Sequence, residues 1–188
     1  SLTAVDRIFA ANGLTVVDVE ELGTHGGSLR VHARRSDAPN LVRLPAVGAM
    51  LELESRAGMT SRAYYVGFQA QAERVKDDFL MFLINAKRSG LRVCAYGAAA
   101  KGNTLLNFAG CRPDLLSFVV DRNPAKRGKY MPGSRIPILP PAVLAEHRPD
   151  VIVILPWNIA DEIVRHHDYV RHWRGSFAVA IPRLEIWS

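Results

Sequence analysis

The second half of the sequence predicts an α/β domain with a Rossmann-like, mostly parallel sheet and helices on both of its faces. Short apolar runs alternate there with stretches that have a helical period. Such runs are typical of strands buried on both faces, and strands separated by helices form parallel sheets. The apolar runs cover 91–96, 115–120, 151–155 and 177–181, and the helical stretches cover 101–109, 142–147 and 159–172.

The first 35 residues show a different pattern, a helix followed by a β-hairpin. A short helix ends at Gly13, which suits the position after a helix. Segments 14–22 and 28–35 then alternate between polar and apolar residues, as strands do. One helix and one hairpin are too small to be a stable domain. We therefore expect this part to be the remnant of a larger α/β domain.

A polar, proline-containing stretch, 36–45, is expected to be a linker. After it, the pattern of apolar residues predicts two helices, from 47 to 57 and from about 60 to 90. The predicted organisation is therefore residues 1–35, the linker, and a domain over 46–188 that begins with these long helices.

The composition restricts the class of protein. The formal net charge of +6 indicates an anionic partner. The basic residues form separate short clusters and not one basic face with interleaved aromatic residues, so a small phosphorylated ligand is expected and a nucleic acid is not. No apolar run approaches the roughly 18 residues of a membrane span, and the first residues do not form a signal peptide. We expect a cytoplasmic protein without membrane contacts; the sequence carries no signal for an oligomeric state.

The two cysteines, Cys94 and Cys111, do not have the spacing of a zinc site or of a disulfide framework. Both are expected to be small buried hydrophobic residues. No metal site is therefore expected in this chain.

The strongest functional signal is the turn that follows the first apolar run, YGAAAKGN (96–103). Its glycines and alanines fit G-x-A-x-x-G, a loose form of the phosphate-binding turn of dinucleotide folds. Small residues let a ligand approach the backbone, and the free N–H groups of the following helix would face a phosphate. A lysine adds positive charge. The expected ligand contacts are Gly97, Ala98, Ala99, Ala100, Lys101, Gly102 and Asn103.

The residues of this turn also fit two other interpretations. A tight turn packed with small residues would show the same pattern without a ligand. The spacing of Gly97, Gly102 and Thr104 also approaches the phosphate-binding loop of nucleoside triphosphatases. That loop requires a lysine where Asn103 stands, so we reject it.

Further candidates follow the next two apolar runs, because the carboxyl ends of parallel strands meet at one edge of a sheet. Asp121 stands where a dinucleotide fold holds a ribose hydroxyl, or it caps a turn. Trp157 would cover a base or sugar, or it would close the core. The additional expected ligand contacts are Asp121, Asn123, Lys126, Lys129, Pro156, Trp157 and Asn158.

His25 is the candidate catalytic residue of the N-terminal part. It stands beside two glycines between the two predicted strands. Its side chain titrates near neutral pH and would act as a base. A histidine in such a position also commonly closes a turn.

Four strings resemble the C-terminal region of S-adenosylmethionine-dependent sugar C-methyltransferases, the tetronitrose C-3-methyltransferase-like family that branches antibiotic deoxysugars. The strings extend over nearly the whole chain. They are THGGSLRVHA (24–33), AYGAAAKGNTLLN (95–107), VVDRNPAKRGKYMPGSRIPI (119–138) and VIVILPWNIADEI (151–163).

The resemblance implies three parts: a zinc-binding module, a central S-adenosylmethionine domain and a C-terminal Rossmann-like domain. A nucleotide-linked 4-keto-6-deoxysugar would lie between the last two. Residues 1–35 would then be the tail of the methyltransferase domain, with the zinc ligands, the cofactor loop and the base upstream of this chain. The chain alone would be inactive and would contribute substrate binding.

Two other functions stay open from the sequence. The glycine-containing turn and Asp121 also suit an NAD(P)-binding oxidoreductase domain. The lack of a convincing catalytic constellation suits a non-catalytic nucleotide-sugar-binding module.

Overall fold

The computed structural model describes residues 1–188, except for the side chain of His25. The chain forms two compact units, Ser1–Gln69 and Ala70–Ser188. The first holds a helix and an antiparallel hairpin, and the second holds a six-stranded, mostly parallel sheet with helices. The predicted fold class is therefore confirmed.

The first unit contains α1 (Leu2–Ala11), β1 (Leu14–Leu22), β2 (Ser28–Arg35) and α2 (Pro45–Arg56). The two strands pair in antiparallel register, and a 3-10 turn over Thr24–Gly26 joins them. Both strands lie where the alternation of polar and apolar residues predicts them. The small core of this unit is formed by Leu2, Val16, Val19 and Val47.

A buried carboxylate that the sequence did not reveal holds α1 and α2 together. Glu54 on α2 accepts hydrogen bonds from the N–H groups of Leu2 (2.5 Å) and Thr3 (2.7 Å). Burial opposes ionisation of Glu54, but the hydrogen bonds from Thr3 and Leu2 outweigh it and lower its pKa. It therefore caps α1 from another helix, and α2 belongs to the first compact unit.

The segment between β2 and α2 is hydrogen-bonded to β1. The N–H of Leu44 donates to the carbonyl of Val17 (2.8 Å), and the N–H of Ser36 donates to that of Gly13 (2.8 Å). The first compact unit extends to Gln69 and includes residues 36–45. The division of the chain into domains at 36–45 stays a prediction. The origin of residues 1–35 in a methyltransferase domain stays a prediction.

The predicted helix over 60–90 is interrupted near its start. Residues Arg62–Tyr65 form a 3-10 turn, and α3 covers Phe68–Arg88. Gly67 lies at the break, and glycine is a poor helix former. The predicted start was therefore wrong, whereas the predicted end is confirmed.

The second unit places its six strands in the order β5-β4-β3-β6-β7-β8. The first five are parallel, and β8 is antiparallel to β7. This is the 3-2-1-4-5-6 order of the dinucleotide-binding fold. The elements after α3 are β3 (Val93–Tyr96), α4 (Ala100–Phe108), β4 (Val119–Val120), β5 (Ile138–Leu139), α5 (Val143–His147), β6 (Val151–Ile154), α6 (Ala160–His166), β7 (Ser176–Val179) and β8 (Glu185–Trp187).

The sequence missed β5 and β8, which are only two and three residues long. The predicted helix over 159–172 divides into α6 and a 3-10 turn over Asp168–Trp173. The sheet is covered on both faces by apolar layers. One layer includes Phe79, Leu106 and Val153, and the other includes Cys94, Ile152 and Phe177.

Both cysteines are free and buried, as predicted. Burial raises the pKa of the Cys111 thiol to about 11, with a smaller contribution from Asp114. Burial also raises the pKa of Cys94. Among the described side chains, no group of three or more histidine, cysteine or acidic residues stands together as metal ligands would. None of the helices that the described residues form has the length and apolarity of a membrane span.

Candidate functional site

The turn between β3 and α4 brings the start of a helix to the carboxyl edge of the sheet. β3 ends at Tyr96, and Gly97 follows with a φ of +90°. Ala99 is the N-cap of α4 and has no side chain that can accept a hydrogen bond. The N–H groups of Ala100, Lys101 and Gly102 therefore have no partner within the helix. They form a site of positive potential.

The turn between β3 and α4 has two sides. We name the side that faces β6 and residues 155–158 the switch-point corner. Side chains of these residues fill the space there. A Cβ on Gly97 would lie 2.6 Å from Cδ of Pro156, and a Cβ on Gly102 would lie 2.5 Å from Cβ of Leu155. Both distances are shorter than van der Waals contact allows, so both positions require glycine for packing.

Lys101 also lies on the side of the switch-point corner. Its ammonium donates a hydrogen bond to Oδ1 of Asn158 and stands 4.5 Å from the centroid of the Trp157 ring. The half-buried tryptophan thus provides a cation–π contact for the lysine. Pro156, Trp157 and Asn158, the three predicted residues of the turn after β6, therefore all lie next to the start of α4.

The other side of the turn opens into what we name the α4 groove, between α4 and the loop that follows β4. Its volume is about 560 Å³. Most of its lining is apolar and small, and its polar groups stand at the start of α4 and on the loop. The lining residues that matter here are Ala98, Ala99, Ala100, Asn103, Thr104, Lys126, Lys129, Tyr130 and Met131.

Two polar groups of the α4 groove are available to a ligand. Lys129 is exposed, and its ammonium has no hydrogen-bond or ion-pair partner within the described part of the chain. Oδ1 of Asn103 is buried, yet it also has no partner among the described residues. Because buried polar atoms are normally hydrogen-bonded, this oxygen indicates a site for a donor group.

The carboxylate of Asp121 is hydrogen-bonded to two backbone N–H groups and one lysine of the protein. Its carboxylate accepts hydrogen bonds from the N–H groups of Ala98 (2.7 Å) and Asn123 (2.8 Å) and from the ammonium of Lys126 (3.3 Å). Lys126 also donates to the carbonyl of Ala98 (2.8 Å). The side chain of Asp121 is buried. Its geometry is that of a turn cap, the second of the two interpretations of this residue.

The structure thus separates the predicted contacts into two sets around the start of α4. Ala98, Ala99, Ala100, Asn103, Lys126 and Lys129 line the α4 groove, whereas Gly97, Lys101, Gly102, Pro156, Trp157 and Asn158 form the switch-point corner. Asp121 and Asn123 are not among the residues that line the groove, and Asp121 is hydrogen-bonded to the lining residue Ala98. The side chain of His25 lies outside what the structure describes, so its role stays a prediction.

Sequence reasoning missed Thr104, Tyr130 and Met131, which also line the α4 groove. The signal for the last two was their position directly after Lys129 in the basic loop. The signal for Thr104 was its position one residue after Asn103, near the start of the helix.

Two comparisons with known proteins give the same result. The family described as C-methyltransferase C-terminal domain matches residues 23–182. The C-methyltransferase NovU of Streptomyces niveus is 37% identical over 188 residues, which are 100% of this chain and 44% of NovU. The chain therefore spans less than half the length of that relative.

Proposed function

Because the chain belongs to the C-methyltransferase C-terminal domain family, we propose that it is the substrate-binding part of an S-adenosylmethionine-dependent C-methyltransferase. The membership confirms the resemblance that the four sequence strings carry. The proposed substrate is a nucleotide-linked 4-keto-deoxysugar. The chain corresponds to 44% of its relative, and the methyl donor and the catalytic base are proposed to lie outside it.

The α4 groove is the observation that carries the proposal. Ala100, whose N–H has no partner within the helix, borders it at one point, and the ammonium of Lys129, which has no partner among the described residues, borders it at another. Both attract the oxygens of a phosphate. The lining between them is small and apolar, and it suits the flat face of a base or sugar. A nucleoside diphosphate sugar has both kinds of group.

Binding at this groove would serve catalysis by orientation. In the proposed reaction the ketone acidifies the neighbouring C–H, a base removes that proton, and S-adenosylmethionine supplies the methyl group. A firm hold on the nucleotide end restricts the motion of the sugar, so that its reacting carbon is presented in one orientation. The described residues of this chain would provide that hold.

Zinc is proposed to belong to the part of the enzyme outside this chain. Cys94 and Cys111 are free and buried. Neither belongs to a group of three or more possible metal ligands among the described residues. Thiols whose pKa is raised by burial are poor metal ligands, since the thiolate is the form that binds. The described residues therefore do not fit a zinc site.

The geometry favours this proposal over an NAD(P)-binding oxidoreductase domain. A dinucleotide fold with this strand order binds its cofactor at the crevice between β3 and β6. Here Pro156 packs directly on Gly97 at that crevice. The carboxylate that would hold the ribose instead accepts N–H groups of Ala98 and Asn123.

A binding titration of the full-length enzyme tests the proposal. UDP-glucose and dTDP-glucose serve as probes, with NADH as the competing class. We expect one of the two sugar nucleotides to bind and Lys129→Met to weaken it about 3–10-fold, the scale of a lost charge-assisted contact at a partly exposed site. Asn103→Leu should also weaken binding without lowering stability, because the oxygen it removes has no partner in the part of the chain that the structure describes.

Arg88→Met is the matched control, since it removes one exposed positive charge at the end of α3, outside the groove lining. It should leave affinity unchanged. Equal affinities for Lys129→Met and Arg88→Met would place the ligand outside the α4 groove. Binding of NADH in preference to both sugar nucleotides would support the oxidoreductase alternative.

A further inference from the structure

We propose that Asp121 and Lys126 act as positioning residues that fix the wall of the α4 groove, and that Lys129 is the lysine that contacts the ligand. This inference rests on the proposed function, which supplies the ligand, but its structural part concerns only this chain. It assigns different roles to two lysines three residues apart in the same basic loop.

The first observation is that both carboxylate oxygens of Asp121 accept hydrogen bonds from the protein. One carboxylate oxygen accepts the N–H of Asn123 (2.8 Å), and the other accepts the N–H of Ala98 (2.7 Å) and faces the ammonium of Lys126 (3.3 Å). The residue is only 8% exposed. Three donors of the protein surround this buried carboxylate, and each of its two oxygens accepts at least one of them. The carboxylate is therefore held by the loop and by the turn before α4.

The second observation is that both the backbone N–H and the backbone carbonyl of Ala98 are hydrogen-bonded to side chains of the loop after β4. Its N–H is bound by Asp121, and its carbonyl accepts a hydrogen bond from the ammonium of Lys126 (2.8 Å). The same ammonium faces Asp121, so the three residues form a closed triangle. Ala98 stands directly before the N-cap of α4. The triangle therefore fixes the direction in which the first turn of the helix points.

We name the hydrogen bonds among Asp121, Lys126 and Ala98 the clamp. The clamp holds the start of α4, which has no N-cap side chain. Serine, threonine, aspartate or asparagine at the N-cap normally binds an N–H of the first turn. Ala99 cannot do so, and Gly97, two residues before it, has a φ of +90° and more accessible backbone conformations than any other residue type. Asp121 and Lys126 hold this turn from the next loop of the sheet and leave the first-turn N–H groups free.

Lys129 differs from Lys126 in each of these respects. The ammonium of Lys126 donates two of its three hydrogens to acceptors within the protein, the carbonyl of Ala98 and the carboxylate of Asp121. Lys129 is exposed on the groove lining, and its ammonium has no partner among the described side chains. Removal of Lys126 should therefore act through the turn, whereas removal of Lys129 should act on the ligand directly.

A double-mutant cycle separates the two roles. In the full-length enzyme, affinity for the sugar nucleotide that binds the wild type is measured for Asp121→Asn, Lys126→Met, Lys129→Met and the two pairs that include Asp121→Asn. We expect each single change to weaken binding about 3–10-fold. Asp121→Asn with Lys126→Met should weaken it no more than the stronger single change, because both break one clamp. Asp121→Asn with Lys129→Met should give the product of the two losses.

Hydrogen exchange at the Ala98 N–H provides a readout that needs no ligand. It should be slow in the wild type and in Lys129→Met, and faster in Asp121→Asn and Lys126→Met, while exchange in β6 stays unchanged. Multiplicative losses for Asp121→Asn with Lys126→Met, or slow exchange at Ala98 in both variants, would overturn the inference. Failure of the wild type to bind either sugar nucleotide would instead overturn the proposed function, with the exchange data still testing the clamp.

Discussion

The two sides of the α4 N-terminus use the same short turn in opposite ways. On the side of the switch-point corner, the glycines admit Pro156 and Leu155, and the lysine of the turn binds Asn158 and lies over Trp157. On the side of the α4 groove, the alanines leave space, and neither the buried Oδ1 of Asn103 nor the ammonium of Lys129 has a partner among the described residues. One side is closed by side chains, and the other is open.

This difference shows why a glycine-containing turn is an ambiguous signal. Glycine permits the close approach of any group, and a proline ring of the same chain meets that condition as well as a phosphate does. The small residues of the turn therefore have two functions that act on opposite sides. Variants on the closed side should alter stability, and variants on the open side should alter affinity.

The largest effect is expected for Gly97→Ala. The new Cβ would overlap Cδ and Cγ of Pro156 at 2.6 and 2.8 Å, and the φ of +90° disfavours any residue with a side chain. Overpacking and the backbone strain together should lower the free energy of unfolding by about 2–4 kcal/mol. Denaturation followed by tryptophan fluorescence measures this, since Trp157, Trp173 and Trp187 all lie in the second unit.

Pro156→Ala is the matched partner change, because it removes the two overlapping ring atoms. The double variant Gly97→Ala with Pro156→Ala should regain about 1–2 kcal/mol and keep the cost of the backbone conformation, about 1–2 kcal/mol. If Pro156→Ala restores nothing, the overlap is not the reason for the glycine. The backbone conformation at φ +90° would then account for the glycine by itself.

A smaller loss is expected for Gly102→Ala, with Gly48→Ala as its control. Both glycines lie within helices, where alanine is favoured by up to about 1 kcal/mol. At Gly102 a Cβ would lie 2.5 Å from Cβ of Leu155, whereas at Gly48 nothing lies within 4 Å. Gly102→Ala should therefore lose about 1–2 kcal/mol net, and Gly48→Ala should gain up to about 1 kcal/mol.

Far-ultraviolet circular dichroism during denaturation reports both variants, since the two helices belong to different compact units. Opposite signs for the two substitutions support a packing role for Gly102. A gain of stability at both positions would mean that α4 does not lie tightly on Leu155, and the closed side of the comparison would be lost.

Much of the fold could be predicted because its signals are local. Buried strands such as β3 and β6 stand out as apolar runs between turns, and the alternation in β1 and β2 gives a hairpin. The short β5 was not predictable, since two residues carry no period. Glu54 was not predictable either, because its partners Leu2 and Thr3 are brought to it only by the packing of α2 on α1.

The sequence was sufficient to predict at which edge of the sheet the candidate site lies. It was not sufficient to predict on which side of the turn between β3 and α4 the site is open. The rule that strand ends meet placed Gly97, Asp121 and Trp157 together, and they do meet around α4. Which of them faces open space depends on contacts between loops, such as Pro156 on Gly97, and no pattern within one loop encodes them. The clamp on Ala98 is missed for the same reason.

The smallest effect is expected for Lys101→Met, which tests the boundary between the two sides. The change removes the hydrogen bond to Asn158 and the cation–π contact with Trp157, and it keeps most of the aliphatic stem. Loss of both contacts at this partly exposed site should lower the free energy of unfolding by about 1 kcal/mol. Affinity for the sugar nucleotide should change less than about twofold, because the ammonium is held away from the α4 groove lining. Isothermal titration and denaturation of the same preparation give both values. A loss of affinity as large as that of Lys129→Met, with stability unchanged, would show that the ammonium leaves Asn158 for the ligand and that the closed side also binds it.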